Sequence, residues 1–381
     1  MSVDVGERGG TRTRPSKGGP CGCELQEGTI ANASTLESMS PGLLRVVERA
    51  RREPEGRFHS LAHLIDVPAL RRAYDGMRKD AAVGVDGMTK ERYGRDLEVR
   101  LPDLHARLRS RRYRHQPIRR VHIPKGEGKT RPIRISAFED KLVQDAVREV
   151  LEAIYEQDFL GCSYGFRPGR STHDAVRTLD RIVHRGEVSW ILEADVVSFF
   201  DSVDRAALVE MLQTRIADGS LLRLIGKCLH VGVLDGEEFS RPETGTAQGS
   251  VLSPLLGNVY LHYVLDQWFE TEAKPRLRGR ATLIRYCDDF IIGFGREDDA
   301  RRVMEVLGKR VGRRLRGHFN YFGVSGNFRS LQLLVQATRR AWYKWLCRRS
   351  QRKRLTGERF EDLLRQLPLP RPRITVRIWG P

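Results

Sequence analysis

The 381 residues carry 67 Lys and Arg against 49 Asp and Glu, a formal net charge of +18, with 40% apolar residues. That length supports two or three domains with real cores. No stretch of about 18 residues is free of charge and no apolar segment opens the chain, which argues against a membrane-spanning helix and a secretory signal. So strong a basic excess implies a polyanionic partner, nucleic acid in the first instance, although ribosomal-type binders and plain arginine-rich composition give the same excess. Cys21 and Cys23 fall short of any zinc-finger spacing, and the other four cysteines are scattered. Reduced thiols and a cytoplasmic location are therefore expected.

Composition predicts a disordered tail over residues 1–40. From residue 41 the spacing of Leu43, Leu44 and Val47, and later of Leu61, Leu64 and Ile65, predicts helices, interrupted by a loop at Val83–Gly87 with Thr89 as the cap of the next helix. A basic segment then predicts two strands, Arg119–Lys125 and Lys129–Ile135, joined at Gly126–Gly128. Such a hairpin can close over a triphosphate, with Lys125, Lys129 and Arg131 as the candidate phosphate ligands; it is also simply a solvated basic hairpin. Leu142, Val143, Ala146, Val147, Val150, Leu151, Ile154 and Tyr155 make one broad apolar face and predict a scaffold helix over Glu139–Glu156.

Next comes Gly161–Arg170, a loop in which aromatics alternate with Arg167 and Arg170, the pattern of a chain that stacks on bases and pairs phosphates. Ser171 with Asp174 has the form of a capping box. Ser189–Asp195 is an apolar strand ending in a carboxylate. Asp201 or Ser202 suits the cap of the helix after it, which leaves Asp195 for chemistry. A small-residue loop over Thr244–Ser250, with Gln248 as its hydrogen-bonding side chain, opens a helix predicted for Pro254–Trp268.

Leu283–Tyr286 and Phe290–Phe294 form a hairpin whose turn carries Asp288 and Asp289. Crowding two carboxylates between apolar strands costs several kcal/mol unless a cation neutralises them, which suggests a divalent metal. An isolated Asp-Asp pair is more often an ordinary solvated turn.

Asp195 at a strand end, a Gln248-Gly249 loop and Tyr286-Cys287-Asp288-Asp289, in that order, resemble the fingers and palm of a reverse transcriptase. More narrowly, Gly84–Gly87, Tyr164–Ser171 and Gln248–Leu256 resemble group II intron-encoded proteins, over residues 60–300. Leu315–Val324 is similar to the maturase-specific region of that family, a likeness extending over 311–373. The resemblance implies an α+β fold: right-hand polymerase fingers and palm with an antiparallel palm sheet over 41–310, then a small helical maturase domain over 311–381.

It further implies an RNA-directed DNA polymerase that extends a DNA primer with dNTPs on an intron RNA template and assists splicing. Asp195 and Asp288 would bridge two Mg2+ ions with Asp289 in support. Lys125 and Arg131 would meet the dNTP phosphates, Gln248 the nucleotide, and Phe200 would stand under the sugar as a steric gate. Arg167, Arg170, Arg316, Lys344, Arg348, Arg349 and Lys353 are the expected RNA contacts. The departure from the family lies at Gly308–Gly312, where the chain passes almost directly to Arg313–Arg316 without the primer-gripping turn and thumb. Apolar surface on the Phe290–Phe294 strand is accordingly expected to lie exposed. Two other outcomes fit the same chain: a maturase that binds RNA without polymerising, and a truncated, catalytically weakened remnant.

Overall fold

The computed structural model describes residues 39–126, 129–196, 199–236, 238–240, 245–246, 249–314 and 319–321. The tail expected over 1–40 lies almost wholly outside these residues, as does most of 311–381. Helices, one mixed sheet and one wholly antiparallel sheet are combined in an α+β arrangement. Among the described residues no helix is long and apolar enough to cross a membrane.

Helix α1 (Pro41–Arg52) starts where Ser40 accepts a hydrogen bond from the Leu43 amide at 3.4 Å, and it buries Leu43, Val46, Val47 and Ala50. The helix expected around Leu61–Ile65 is only a 3-10 turn at Ala62–Leu64, although Leu61 and Ile65 are buried. Its amides at Leu61 and Ala62 are taken by the distant Asp218 at 2.7 and 2.8 Å, and Asp66, directly after Ile65, already caps the next helix. Helix α2 (Val67–Gly76) follows, then α3 (Lys90–Gly94), capped by Thr89 as expected, and α4 (Leu97–Arg109).

The basic hairpin is real: β1 (Ile118–Gly126) pairs antiparallel with β2 (Lys129–Ile135), from Arg119 opposite Ile135 to Gly126 opposite Lys129. Helix α5 (Phe138–Asp158) buries every residue of its predicted apolar face and packs against α1 and α2. Burying a Leu or Ile side chain contributes about 1.5–3 kcal/mol, so this face anchors the whole N-terminal half. The start of α5 is fixed by the Gly84–Gly87 loop. Asp86 accepts from the Phe138 amide at 2.8 Å, and a Cβ at Gly84 would stand 2.6 Å from the Ala137 Cα.

Helix α6 (Thr172–His184) has the predicted capping box complete, with Ser171 and Asp174 exchanging side-chain and backbone hydrogen bonds. Strand β3 (Trp190–Val196) leads to a single turn α7 (Phe199–Ser202), α8 (Arg205–Arg215) and α9 (Gly219–Leu229). The cap of α8 is Asp204, accepting from Ala206 and Ala207 at 2.9 and 3.1 Å, not Asp201 or Ser202. Those two fall inside α7, and Asp201 pairs with Arg134 at 2.8 Å. Strands β4 (Val233–Asp235) and β5 (Glu238–Ser240) complete the first sheet, ordered β2-β1-β4-β5.

Helix α10 (Ser253–Leu261) continues through wide π-type turns at His262–Asp266 and Phe269–Ala273, where one regular helix is predicted. The second sheet, ordered β6-β7-β3-β8, comprises β6 (Ala281–Tyr286), β7 (Asp289–Phe294), β3 and β8 (Phe319–Tyr321). Helix α11 (Glu297–Arg314) joins β7 to β8, packs on β3 and β7, and buries Val303 and Leu307. It runs past the boundary expected at 310, and Phe319–Tyr321 lies beside β3 in this sheet.

Strand period puts Leu192, Ala194 and Val196 of β3 and Phe290, Ile292 and Phe294 of β7 on one buried face. The exposure expected for Phe290–Phe294 is thus corrected: β7 has strand neighbours on both sides, and Phe290, Ile292 and Phe294 are buried, with Ile291 partly so. Ile191, on the opposite face of β3, is 45% exposed.

Candidate active site

The β6–β7 hairpin closes at Tyr286 opposite Asp289, so Cys287 and Asp288 form a two-residue turn. Cys287 has φ 61°, a left-handed conformation that costs an ordinary residue roughly 1–2 kcal/mol. The surroundings compensate. Gly165 presses on this turn so closely that a Cβ there would stand 2.4 Å from the Cys287 Sγ and 2.5 Å from its backbone nitrogen. Asp288 is half-buried and Asp289 exposed. Burial, then the charges of Asp288 and Asp289, push the Cys287 thiol up to about 12, with Arg285 opposing, so it stays neutral.

Ala194 of β3 faces Phe290 of β7. Asp195 is the next residue along one strand and Asp289 the next along the other, so the register carries position 195 to the side of the acidic turn. Directly opposed residues in antiparallel strands have Cβ atoms about 4.5–5.5 Å apart. The Asp195 side chain itself lies outside the described residues. Glu193, two positions earlier, is held above the usual carboxylate range by burial and then by the charge of Asp289. Negative charge is therefore concentrated at this end of the sheet. Among the described residues no group of three metal-ligating side chains is gathered. Carboxylate oxygens at an acidic turn are nonetheless the hard donors that Mg2+ takes.

Beneath the turn lies Arg285, fully buried, with all five of its N–H groups in use. Nε and Nη2 donate to the Asp266 carboxylate at 2.8 and 2.6 Å, and Nη2 also to Ser163 Oγ at 2.8 Å. Nη1 donates to Asn258 Oδ1 at 2.8 Å and to the Cys287 carbonyl at 3.0 Å. Burial works against its charge, but the Asp266 carboxylate outweighs that and keeps its pKa above the ordinary arginine value. Asn258 in turn donates to the Gly165 carbonyl at 2.8 Å. One buried cation thus ties together the acidic turn, α10, the bulged segment after it and the Gly161–Arg170 loop. None of these support residues is marked by the sequence pattern, except that a lone Arg at an inward position of an apolar strand must have a partner.

The second half of the site is built around Phe200, which is half-buried with its ring edge-on to Phe199 at 5.3 Å between centroids. The Thr246 amide donates to the Phe200 carbonyl at 2.6 Å, and Arg205 Nε donates to the Gly245 carbonyl at 2.7 Å. Gly249, at φ 100°, packs where a Cβ would meet the Arg134 carbonyl at 2.6 Å. Arg134 reaches back to Asp201 at 2.8 Å and to the Thr246 carbonyl at 3.2 Å. Thr246 and Gly249 therefore link the Phe200 turn to the end of β2, bringing the basic hairpin to the same region. Gln248 and the side chains of Lys125, Lys129 and Arg131 lie outside the described residues, as do Arg316, Lys344, Arg348, Arg349 and Lys353.

The two loop arginines are placed differently from the expectation. Arg167 is buried, its Nε and Nη2 on the Glu156 carboxylate at 2.9–3.2 Å and its Nη1 on the Leu160 and Ser163 carbonyls at 2.9 Å. A guanidinium buried and engaged in this way is withheld from a phosphate, and the expectation that Arg167 contacts RNA is corrected: it shapes the loop. Arg170 donates to the Gly161 carbonyl at 2.8 Å and lies over the Tyr164 ring at 5.1 Å.

Residues 123–315 match the family described as reverse transcriptase (RNA-dependent DNA polymerase). Protein YkfC of Escherichia coli (strain K12) is 37% identical over 239 residues, covering 55% of this chain and 62% of that protein. The group II intron-encoded protein LtrA of Lactococcus lactis subsp. cremoris is 37% identical over 212 residues, 54% of this chain and 35% of that one. Nuclear intron maturase 2, mitochondrial, of Arabidopsis thaliana is 27% identical over 181 residues, 37% of this chain and 24% of that one. The chain thus spans less than two thirds of each of these relatives.

Proposed function

Because the chain belongs to the reverse transcriptase (RNA-dependent DNA polymerase) family, with a group II intron-encoded protein among its relatives, we propose that it extends a DNA primer on an intron RNA template. The observation that carries this reading is the strand register that brings position 195 beside the Asp288-Asp289 turn. In it, the β6-β7-β3-β8 sheet is the palm and the β1–β2 hairpin belongs to the fingers. Asp195 and Asp288, with Asp289 in support, would hold two Mg2+ ions, and bound magnesium would supply a lowered pKa for a hydroxyl and neutralisation of triphosphate charge.

The chain's own groups do the rest. Lys125 and Arg131 offset phosphate charge, as fixed cations do in phosphoryl transfer. Phe200, its backbone fixed by Thr246, crowds a 2′-hydroxyl and favours deoxynucleotides, while Gln248 contacts the nucleotide. Residues 41–310 supply the fingers and most of the palm, and Phe319–Tyr321 completes the palm sheet. Residues 311–381, with Arg316, Lys344, Arg348, Arg349 and Lys353, grip intron RNA and assist its splicing in the cytoplasm.

Primer extension on a long RNA template with magnesium tests this directly. Weak, non-processive cDNA synthesis is expected, abolished in Asp195→Asn and Asp288→Asn while RNA binding persists. Extension at the wild-type rate in Asp195→Asn would sink the assignment. Similarity to a nuclear intron maturase favours a second reading, an RNA-folding protein without polymerisation. Splicing assistance that survives Asp288→Asn, with no extension by the wild-type protein, would select it.

A further inference from the structure

We propose that Phe166 is a stacking platform for an unpaired nucleobase of the RNA strand, set beside the acidic turn. The inference deepens the polymerase reading and rests on it. Phe166 is 60% exposed although it sits in a loop whose neighbours are buried: Tyr164, Gly165 and Arg167 are all withdrawn from water. Its φ of 53° is in the left-handed region that bulky side chains rarely adopt. An exposed apolar side chain is ordinary by itself. One held out in a disfavoured conformation, between two immobilised neighbours, requires a reason.

Those neighbours are fixed from three directions. The Gly165 carbonyl takes the Asn258 amide at 2.8 Å, and Gly165 lies in contact with Cys287. Arg167 is locked to Glu156 and to the Leu160 and Ser163 carbonyls. On the far side Arg170 is held over the Tyr164 ring, and Ser171 begins the capping box of α6. The aromatic ring therefore cannot retreat into the core without breaking a buried ion pair or the support of the hairpin. The same clamps also fix its place: the residue before it touches the turn that carries Asp288. A rigid, flat, apolar surface one residue from that turn suits the face of a base, since every base has one and stacking requires no particular sequence.

Such a platform orders the template next to the reacting groups. It also accounts for what the loop's arginines do, since both donate to carbonyls at the start of the loop, at Leu160, Gly161 and Ser163. A single aromatic contributes no charge, so it changes affinity without changing how many phosphates are neutralised.

The test uses the full chain and a fluorescein-labelled 12-nucleotide oligouridylate, with anisotropy titrations at several salt concentrations. Phe166→Ala is expected to weaken binding roughly 5- to 150-fold, the range for removing one base–aromatic stack, with an unchanged slope of log K against log salt. Phe166→Trp is expected to restore the affinity. In the wild-type protein, oligonucleotides carrying 5-iodouridine should photo-crosslink to the peptide containing Phe166, a readout that needs no variant to fold. Binding that is unaltered in Phe166→Ala, or crosslinks that all lie elsewhere, overturns this inference alone. Failure of the wild-type protein to bind the oligonucleotide at all overturns it together with the polymerase reading.

Discussion

Removing the positive charge beneath the acidic turn is the perturbation with the largest consequence the fold allows. In Arg285→Met the Asp266 carboxylate stays fully buried and loses its cation, while Ser163, Asn258 and the Cys287 carbonyl lose their donor. Breaking a buried pair from one side costs about 3–5 kcal/mol, because the remaining charge stays desolvated. For a domain of this size about 1 kcal/mol moves the melting temperature by roughly 2–4 °C, so a loss of roughly 6–20 °C is expected. The double variant Arg285→Met/Asp266→Leu removes both charges, and recovery of most of that loss is expected, since apolar replacements of similar volume are often neutral. Circular dichroism melts of the four proteins in the cycle supply the numbers. A single variant within about 1 kcal/mol of wild type, or a double variant no more stable than the single, would refute this account of the support.

Gly165→Ala should displace the Cys287-Asp288 turn, because its Cβ would meet backbone at 2.5 Å; primer extension should fall by on the order of 10²-fold, and full extension would contradict the packing of Gly165 on the turn. Glu152 is pushed up from 4.5 to about 7 by burial, opposed by Arg148 and reinforced by Glu156, Asp145 and Glu149. A buried acid with a raised pKa binds its proton more tightly in the folded state, so its stabilisation is complete below pH 4.5 and is lost as the pH rises through about 7. Urea melts should therefore show wild type losing up to about 3 kcal/mol relative to Glu152→Gln between pH 4.5 and 8; parallel pH profiles would exclude the shift. Charge reversal at Arg348, Arg349 and Lys353 together should weaken RNA binding and flatten its salt dependence by about 0.7–0.9 in slope for every phosphate no longer neutralised, and an unchanged slope would remove that segment from the interface.

Features set by neighbours within a few residues were legible in the sequence. The apolar face of α5, the Thr89 cap, the Ser171/Asp174 capping box and the hairpin around Asp288 and Asp289 all follow from local period or local hydrogen bonding. Errors arose where a distant group decided the outcome. Arg167 has the look of a loop arginine, but Glu156, on the preceding helix, holds it in the interior. Asp201 has the look of a cap, but Arg134 engages it and Asp204 takes the helix end. Of the candidate site, the acidic turn and the strand leading to Asp195 could be read directly. Arg285 and Asp266, separated by the end of one helix and the start of a strand, could be paired only by the fold.

The place of β3 in its sheet bears on how the protein is made. Its partners β7 and β8 are Asp289–Phe294 and Phe319–Tyr321, both synthesised long after Val196. At about 5–20 residues per second, a ribosome needs roughly 5–20 s to add the hundred or so residues before β7 is available. During that interval the strand ending in Asp195 has two unsatisfied edges and an apolar face, the condition that invites mispairing. Helices α1, α2 and α5 are already synthesised by then, but the core they share with the second sheet cannot close until β7 arrives. Yield of active protein should consequently depend on how fast the middle of the message is translated and on whatever shields nascent strands, and much less on the stability of the mature fold.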